Sequence, residues 1–283
     1  MKIDLIMLCS DNMASLIPLK LNGFSPSDKY QVKGITGLDA QDLFHTFFND
    51  GNGIRSSAKL RNRELAIKVA LNPDFSAGES YSTLRDNLYR LTYSDITNEL
   101  LVLFGLKNEI KAGLWVSVTK IENDISGKEQ DVVLTMPCSH PYLLGPINNV
   151  DVTGFNWYGF EVNDMVSTAS HGFDIKLRLT RNSTYNQFDF LVNNVNFGVG
   201  APFALMENDT IQIITWYDYA AKRNIKSVTV TNASGEHSLI GNISGANGII
   251  NWPIMKPGVN TFRFNTSELE VVHFKYVPTY LGV

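Results

Sequence analysis

Apolar residues in this chain recur mostly at a spacing of two, and in one stretch at steps of three and four. Between Asn72 and Ser94, the residues Tyr81, Leu84, Leu88 and Leu91 fall on one stripe of a helix, while Arg85, Asp86, Asn87 and Arg90 face away. Ser76 followed by Glu79 fits a capping box and Ser80 is a second residue able to cap, so the pattern leaves the helix start open by one turn. The flanking chain reads as strands. Arg61 to Leu71 places Leu65, Ile67, Val69 and Leu71 on one face, between Glu64, Ala66, Lys68 and Ala70. Ile3 to Leu8, Leu16 to Leu21 and Tyr30 to Ile35 precede it. Leu100 to Leu106, Trp115 to Ile121 and Asp131 to Met136 follow the helix as a meander. The segment from Leu38 to Arg55 begins as a short helix and ends in Asp50, Gly51, Asn52 and Gly53, residues that supply a protruding turn.

The run Pro137 to Pro146 holds three prolines in ten residues, more than a central strand tolerates, because each removes a ladder N–H. The expected domains are therefore residues 1–147 and 148–283. In the second half Phe173, Ile175, Leu177 and Leu179 alternate with Asp174, Lys176, Arg178 and Thr180. Further strands read at Phe188 to Val192, Thr210 to Trp216, Ser227 to Thr231, Asn260 to Phe264 and Leu269 to Tyr276. The fold class expected is mainly β: a β-rich N-terminal domain with one packed helix, then an antiparallel β-sandwich without a clear helix.

Composition narrows the function by exclusion. The net charge of -4 and the lack of a Lys/Arg run disfavour sequence-specific binding of DNA. Cys9 and Cys138 fit no ligand spacing and read as two buried free thiols. The start MKIDLIMLC is too short for a signal core, and no stretch approaches the ~18 apolar residues of a membrane span, so folding in a cytoplasm without membrane insertion is expected. The five histidines stand singly, with no zinc spacing, and neither a Gly-x-Ser-x-Gly elbow nor a phosphate-cradling loop occurs. No metal, no cofactor and no catalytic residues are expected. The Asp50 to Gly53 run has oxygens suited to calcium but lacks the downstream acid that closes such a site, and reads as a turn. Trp157, Tyr158, Trp216 and Tyr217 are residues that could stack on sugars, though large rings more often pack a core or an edge.

Three stretches in order resemble the distal tail proteins of long-tailed (siphovirus-type) bacteriophages. They are YQVKGITGLDAQDLF with NDGNGIRSSAKLRNRELAIKVAL (Tyr30 to Phe44, Asn49 to Leu71); LRDNLYRLTY with VVLTMPCSHPYLLGP (Leu84 to Tyr93, Val132 to Pro146); and Lys226 to Val283, with its Pro-Gly-x-Asn turn and closing strands. The resemblance implies an N-terminal belt domain that assembles six copies into a ring, and a galectin-like or related C-terminal sandwich. It implies no catalysis. Its implied partners are the tail tube protein, the tail hub or tip protein and the tape-measure protein, with receptor-binding or side-fibre proteins outside; DNA only passes through the lumen. The implied location is the virion tail tip, assembled in the host cytoplasm. For the ring contact, the protruding residues Asp50, Gly51, Asn52, Gly53, Ile54 and Arg55 are the candidates, since Ile54 is apolar with no obvious partner in its own hairpin. The alternative function is a carbohydrate-binding module or host-receptor adhesin using Trp157, Tyr158, Trp216 and Tyr217 on the sandwich.

Overall fold

A computed structural model describes residues 3–10, 15–21, 25, 27–39, 43–49, 54–60, 62–92, 99–106, 109–124, 130–153, 155, 159–183, 187–218, 221–245 and 250–282, with backbone alone at 43–49, 54–60, 124 and 245. The chain divides into two compact units, Met1–Gly145 with Tyr280–Val283, and Pro146–Thr279. The last four residues therefore belong with the first unit.

The first unit contains β1 (Leu5–Cys9), β2 (Leu16–Lys20), β3 (Tyr30–Thr36), β4 (Leu43–Asn49), β5 (Ile54–Leu60), β6 (Glu64–Leu71), α1 (Tyr81–Thr92), β7 (Leu100–Leu106), β8 (Glu109–Val116), β9 (Lys120–Asp124), β10 (Asp131–Pro137) and β11 (Leu143–Leu144). The second contains β12 (Asn148–Val150), β13 (Phe160–Asp164), β14 (Phe173–Leu179), β15 (Gln187–Val192), β16 (Val195–Gly200), β17 (Thr210–Ile214), β18 (Tyr217–Asp218), β19 (Arg223–Asn224), β20 (Ser227–Asn232), β21 (Gly235–Ser238), β22 (Ile243–Gly245), β23 (Gly258–Phe264) and β24 (Leu269–Tyr276), and β25 (Thr279–Tyr280) leads back to the first.

In the first unit ten strands form one sheet in the order β25-β11-β8-β7-β1-β2-β3-β6-β10-β9. The strand periodicity of β6 holds, with Leu65, Ile67 and Val69 fully buried. Helix α1 lays Leu84, Leu88 and Leu91 into the same core. Asp86, Asn87 and Arg90 stay exposed, as the helical spacing requires. Tyr30 at the start of β3 donates its hydroxyl to the Leu84 carbonyl at 3.0 Å, which ties sheet to helix. Ser80 is the residue that caps α1: its Oγ accepts from the Thr83 N–H at 3.1 Å. Ser76 does not serve as a cap. It lies in a short 3-10 turn whose cap is Asp74, with Oδ1 accepting from the N–H groups of Ser76 and Ala77. Glu79 does reach back, but to the N–H of Asp74 at 3.0 Å.

Two further expectations are corrected. In the segment expected to begin as a short helix after Leu38, residues 40–42 lie outside the described residues, and from Leu43 it is the strand β4, paired residue for residue with β5 from Leu43↔Leu60 to Asn49↔Ile54. A single helical turn is marginal alone, and seven cross-strand pairs outweigh it. The apolar run Trp115 to Ile121 is not one strand either. Its first part pairs with β7, and its second part, as β9, pairs with β10. Between them the N–H groups of Ser117 and Thr119 donate to the carbonyls of Pro137 and Thr135, so the chain changes partner without changing direction abruptly.

The second unit is the expected sandwich. Six strands (β12-β24-β14-β17-β20-β21) and five strands (β13-β23-β15-β16-β22) form two antiparallel sheets over a shared core. Phenylalanines interlock between them: Phe173 of β14 stands edge-on to Phe262 of β23 at 5.5 Å and to Phe190 of β15 at 6.0 Å. Such offset and edge contacts suit the ring quadrupoles. Among the described residues this unit has no α-helix, only a 3-10 turn at Ile240–Asn242.

Candidate functional site

Assembly surfaces are the first candidate. Strands β4 and β5 form a two-stranded ribbon that is a sheet of its own among the described residues. Asp50, Gly51, Asn52 and Gly53 lie outside the described residues; Ile54 and Arg55 open β5, opposite Asn49 and Phe48. A second feature is a seam in the ten-stranded sheet. Strand β2 pairs with β1 over its whole length but meets β3 only through the parallel pair Lys20↔Gln31. Beside it a cleft of about 390 Å³ is lined by Leu16, Ile17, Tyr30, Asn87, Arg90 and other residues. Leu16 is 54% exposed there. The strand β2 thus leaves part of one edge that a further strand could meet, although Pro18 at its middle has no N–H to give.

The aromatic candidates separate. Trp157 and Tyr158 lie outside the described residues. Tyr217 starts the small ribbon β18–β19 with its ring buried, and Trp216 beside it is half-buried.

Composition and periodicity did not single out Arg63, the largest fully buried side chain among the described residues. Its guanidinium is aimed at backbone carbonyls from three remote segments. Nε donates to Pro141 at 2.9 Å, Nη1 to Gly37 and to Asp39, and Nη2 to Leu281 at 2.5 Å. Its own carbonyl accepts from the Cys138 N–H at 2.8 Å. Burial pulls the guanidinium pKa down, opposed by Cys138 and Asp39. Gly37 has a φ of 90°, and a Cβ there would sit 2.0 Å from the Glu64 carbonyl oxygen, so the start of β6, next to Arg63, can approach only a glycine. The signal in the sequence was the pairing of Gly37 with Arg63-Glu64, visible only as part of the family-like segment.

Ionisable groups in both units are structural in their geometry. Burial pushes the Cys138 thiol up to about 12, so it is a neutral thiol and a poor nucleophile at neutral pH. In the second unit Asp164 and His171 face each other at 3.4 Å, both buried. Asp164 also accepts from the N–H groups of Val166 and Ser167, and His171 Nδ1 is 3.1 Å from the Ala169 carbonyl. Burial lowers the His171 pKa. Ser167 is buried too, and its Oγ accepts from the Thr279 N–H, so this Ser, His and Asp grouping clamps two chain segments and presents no hydroxyl to solvent. Among the described residues no group of three or more His, Cys, Asp or Glu is placed to hold a metal ion, and no helix is long and apolar enough to cross a membrane.

No protein-family model matches the chain, and no curated protein does. Solved structures do. Two structures of the phage p2 baseplate in its activated conformation, with Sr and with Ca, align at TM-scores of 0.38 and 0.40 with 8% identity, covering 96% of this chain and 97% of theirs. The SPP1 Dit protein, described as a paradigm of the hub adsorption apparatus in phages infecting Gram-positive hosts, aligns at a TM-score of 0.59 with 14% identity, covering 97% of this chain and 98% of that one. From end to end, in both units, this chain has the fold of SPP1 Dit.

Proposed function

We propose that the protein is a structural component of a bacteriophage tail tip or baseplate, a homohexameric ring that joins the tail tube to the tip hub and the host-attachment proteins. The observation that carries this reading is the fold shared with SPP1 Dit over 97% of the chain, in the same order as the family-like stretches of the sequence. The tape-measure protein and then DNA pass through the lumen, and a small net charge of -4 suits a wall that lets a polyanion slide. Its place is the virion tail tip, after assembly in the host cytoplasm.

A cyclic ring joins two different patches head to tail. The β4–β5 ribbon supplies one patch through Asp50 to Arg55, and the open edge of β2 in the neighbouring copy supplies the other. Negative-stain microscopy and light scattering of the full chain test the ring directly: a sixfold particle of six protomer masses is expected, and a monomer at every concentration would overturn the assignment. Ile54→Asp should weaken association at least tenfold, because desolvating a carboxylate at an apolar contact costs more than the ~1.4 kcal/mol that a factor of ten represents. Circular dichroism should be unchanged in that variant. A ring of undiminished stability would move the contact away from the ribbon. Glycan-array binding by the full chain, lost on Trp216→Ala, would instead favour the sugar-binding adhesin.

A further inference from the structure

The second unit carries a groove of its own. It has a volume of about 510 Å³ and lies where the β15–β16 turn meets the segment before β23. Val195, Ile250 and Ile254 line it at 46%, 45% and 45% exposure, an apolar wall left in water. Two cations, Lys226 and Lys256, share the groove, and among the described residues no Asp or Glu lines it. Neither lysine belongs to an ion pair among the described residues. In a chain of net charge -4 this is a local reversal of sign.

The groove is built rather than incidental. Asn260 is fully buried, and both ends of its amide are used: Nδ2 donates to the carbonyls of Lys256 and Gly258, while Oδ1 accepts from the Lys256 N–H and from Asn193 Nδ2, the latter at 2.8 Å. Asn193 in turn accepts from the Thr261 N–H at 3.0 Å and sits at a φ of 50° in the β15–β16 turn. This network fixes the backbone on both sides of the groove. Trp252 forms part of the wall, with its ring 5.4 Å from Phe197 and the Lys226 ammonium 5.9 Å from its centroid. The contact with the ring attracts the ammonium without neutralising its charge.

We propose that this groove binds an acidic peptide segment of another protein, one carrying a branched or aromatic side chain flanked by carboxylates. Charge complementarity selects the acidic partner: two lysines without ion-pair partners attract carboxylates, and no groove acid repels them. The aliphatic wall selects the apolar side chain. A glycan fits less well, because the Trp252 ring face on which a sugar would stack is already engaged by Phe197 and Lys226. The inference concerns the second unit only, and stands or falls separately from the ring.

The test is selection of random dodecapeptides displayed on an unrelated scaffold against the full-length protein, in parallel with the Lys226→Glu/Lys256→Glu variant. Both lysines are exposed, so the variant should fold, which circular dichroism checks. The expected result is enrichment of peptides with Asp or Glu around a Leu, Ile, Phe or Trp. A synthetic copy of the winning peptide should bind the variant at least tenfold more weakly, and its affinity for the parent protein should fall with added salt. Absence of enrichment, winners without acidic residues, or equal binding to the variant would each overturn the proposal. So would a change in oligomeric mass on Lys226→Glu/Lys256→Glu without peptide binding, which would assign the groove to a second copy of the chain.

Discussion

Replacing Arg63 by Met should destabilise the first unit by about 2 to 4 kcal/mol, because a buried charged donor is taken away from the carbonyls it holds. The methionine keeps most of the volume, so packing is not the main loss. What changes is that the carbonyls of Gly37, Asp39, Pro141 and Leu281 lose their shared donor inside the protein. An acceptor left without a partner away from water costs about 1 to 3 kcal/mol, and these carbonyls, on part-exposed residues and on the exposed Asp39, recover much of it from water. Urea unfolding should show the first unit's transition shifting while that of the second stays in place. Deleting Tyr280–Val283 should produce a smaller loss in the same transition, because it removes one of the four acceptors together with the packing of Tyr280 on the core. A loss below about 1 kcal/mol for Arg63→Met would mean that the guanidinium is not the tie between these segments.

Leu88→Ala should cost about 2 to 5 kcal/mol, the range for truncating a buried leucine whose cavity only partly collapses. Leu88 is fully buried among strand residues of the first core. Asp86, two positions earlier, is exposed, and Asp86→Ala should stay within about 0.5 kcal/mol of neutral. The contrast measures the orientation of α1, because a rotation of half a turn would exchange the two residues. Equal destabilisation by both substitutions would contradict the packing of this helix.

How much could be read beforehand follows the range of the forces involved. Residues whose neighbours are near in sequence were legible: Leu84, Leu88 and Leu91 on one stripe, Leu65, Ile67 and Val69 on one strand face, and Phe173, Ile175, Leu177 and Leu179 on another. Boundaries that depend on a distant partner were not. Trp115 to Ile121 looks continuous because its apolar spacing is continuous, and only the switch of hydrogen-bond partner from β7 to β10 divides it. For the helix, Ser76 and Ser80 are equivalent as letters, and the 3-10 turn capped by Asp74 decided between them. Of the residues proposed for assembly, Ile54 and Arg55 could be named from turn chemistry. The seam beside β2 could not, because it depends on where β3 stops pairing.

The sequence by itself determined the class of this protein. Period-two apolar runs specify sheets, one period-three-and-four stripe specifies one helix, and a proline cluster separates two halves, all through the local geometry of side chains along a backbone. Only the tertiary structure decided that the last residues return to the first unit, that Arg63 gathers carbonyls from Gly37, Pro141 and Leu281, and that Lys226 and Lys256 come to share one groove. These are contacts between residues up to hundreds of positions apart, set by which strands meet. No spacing rule along the chain encodes them, because the energy that selects them comes from burying the whole core at once.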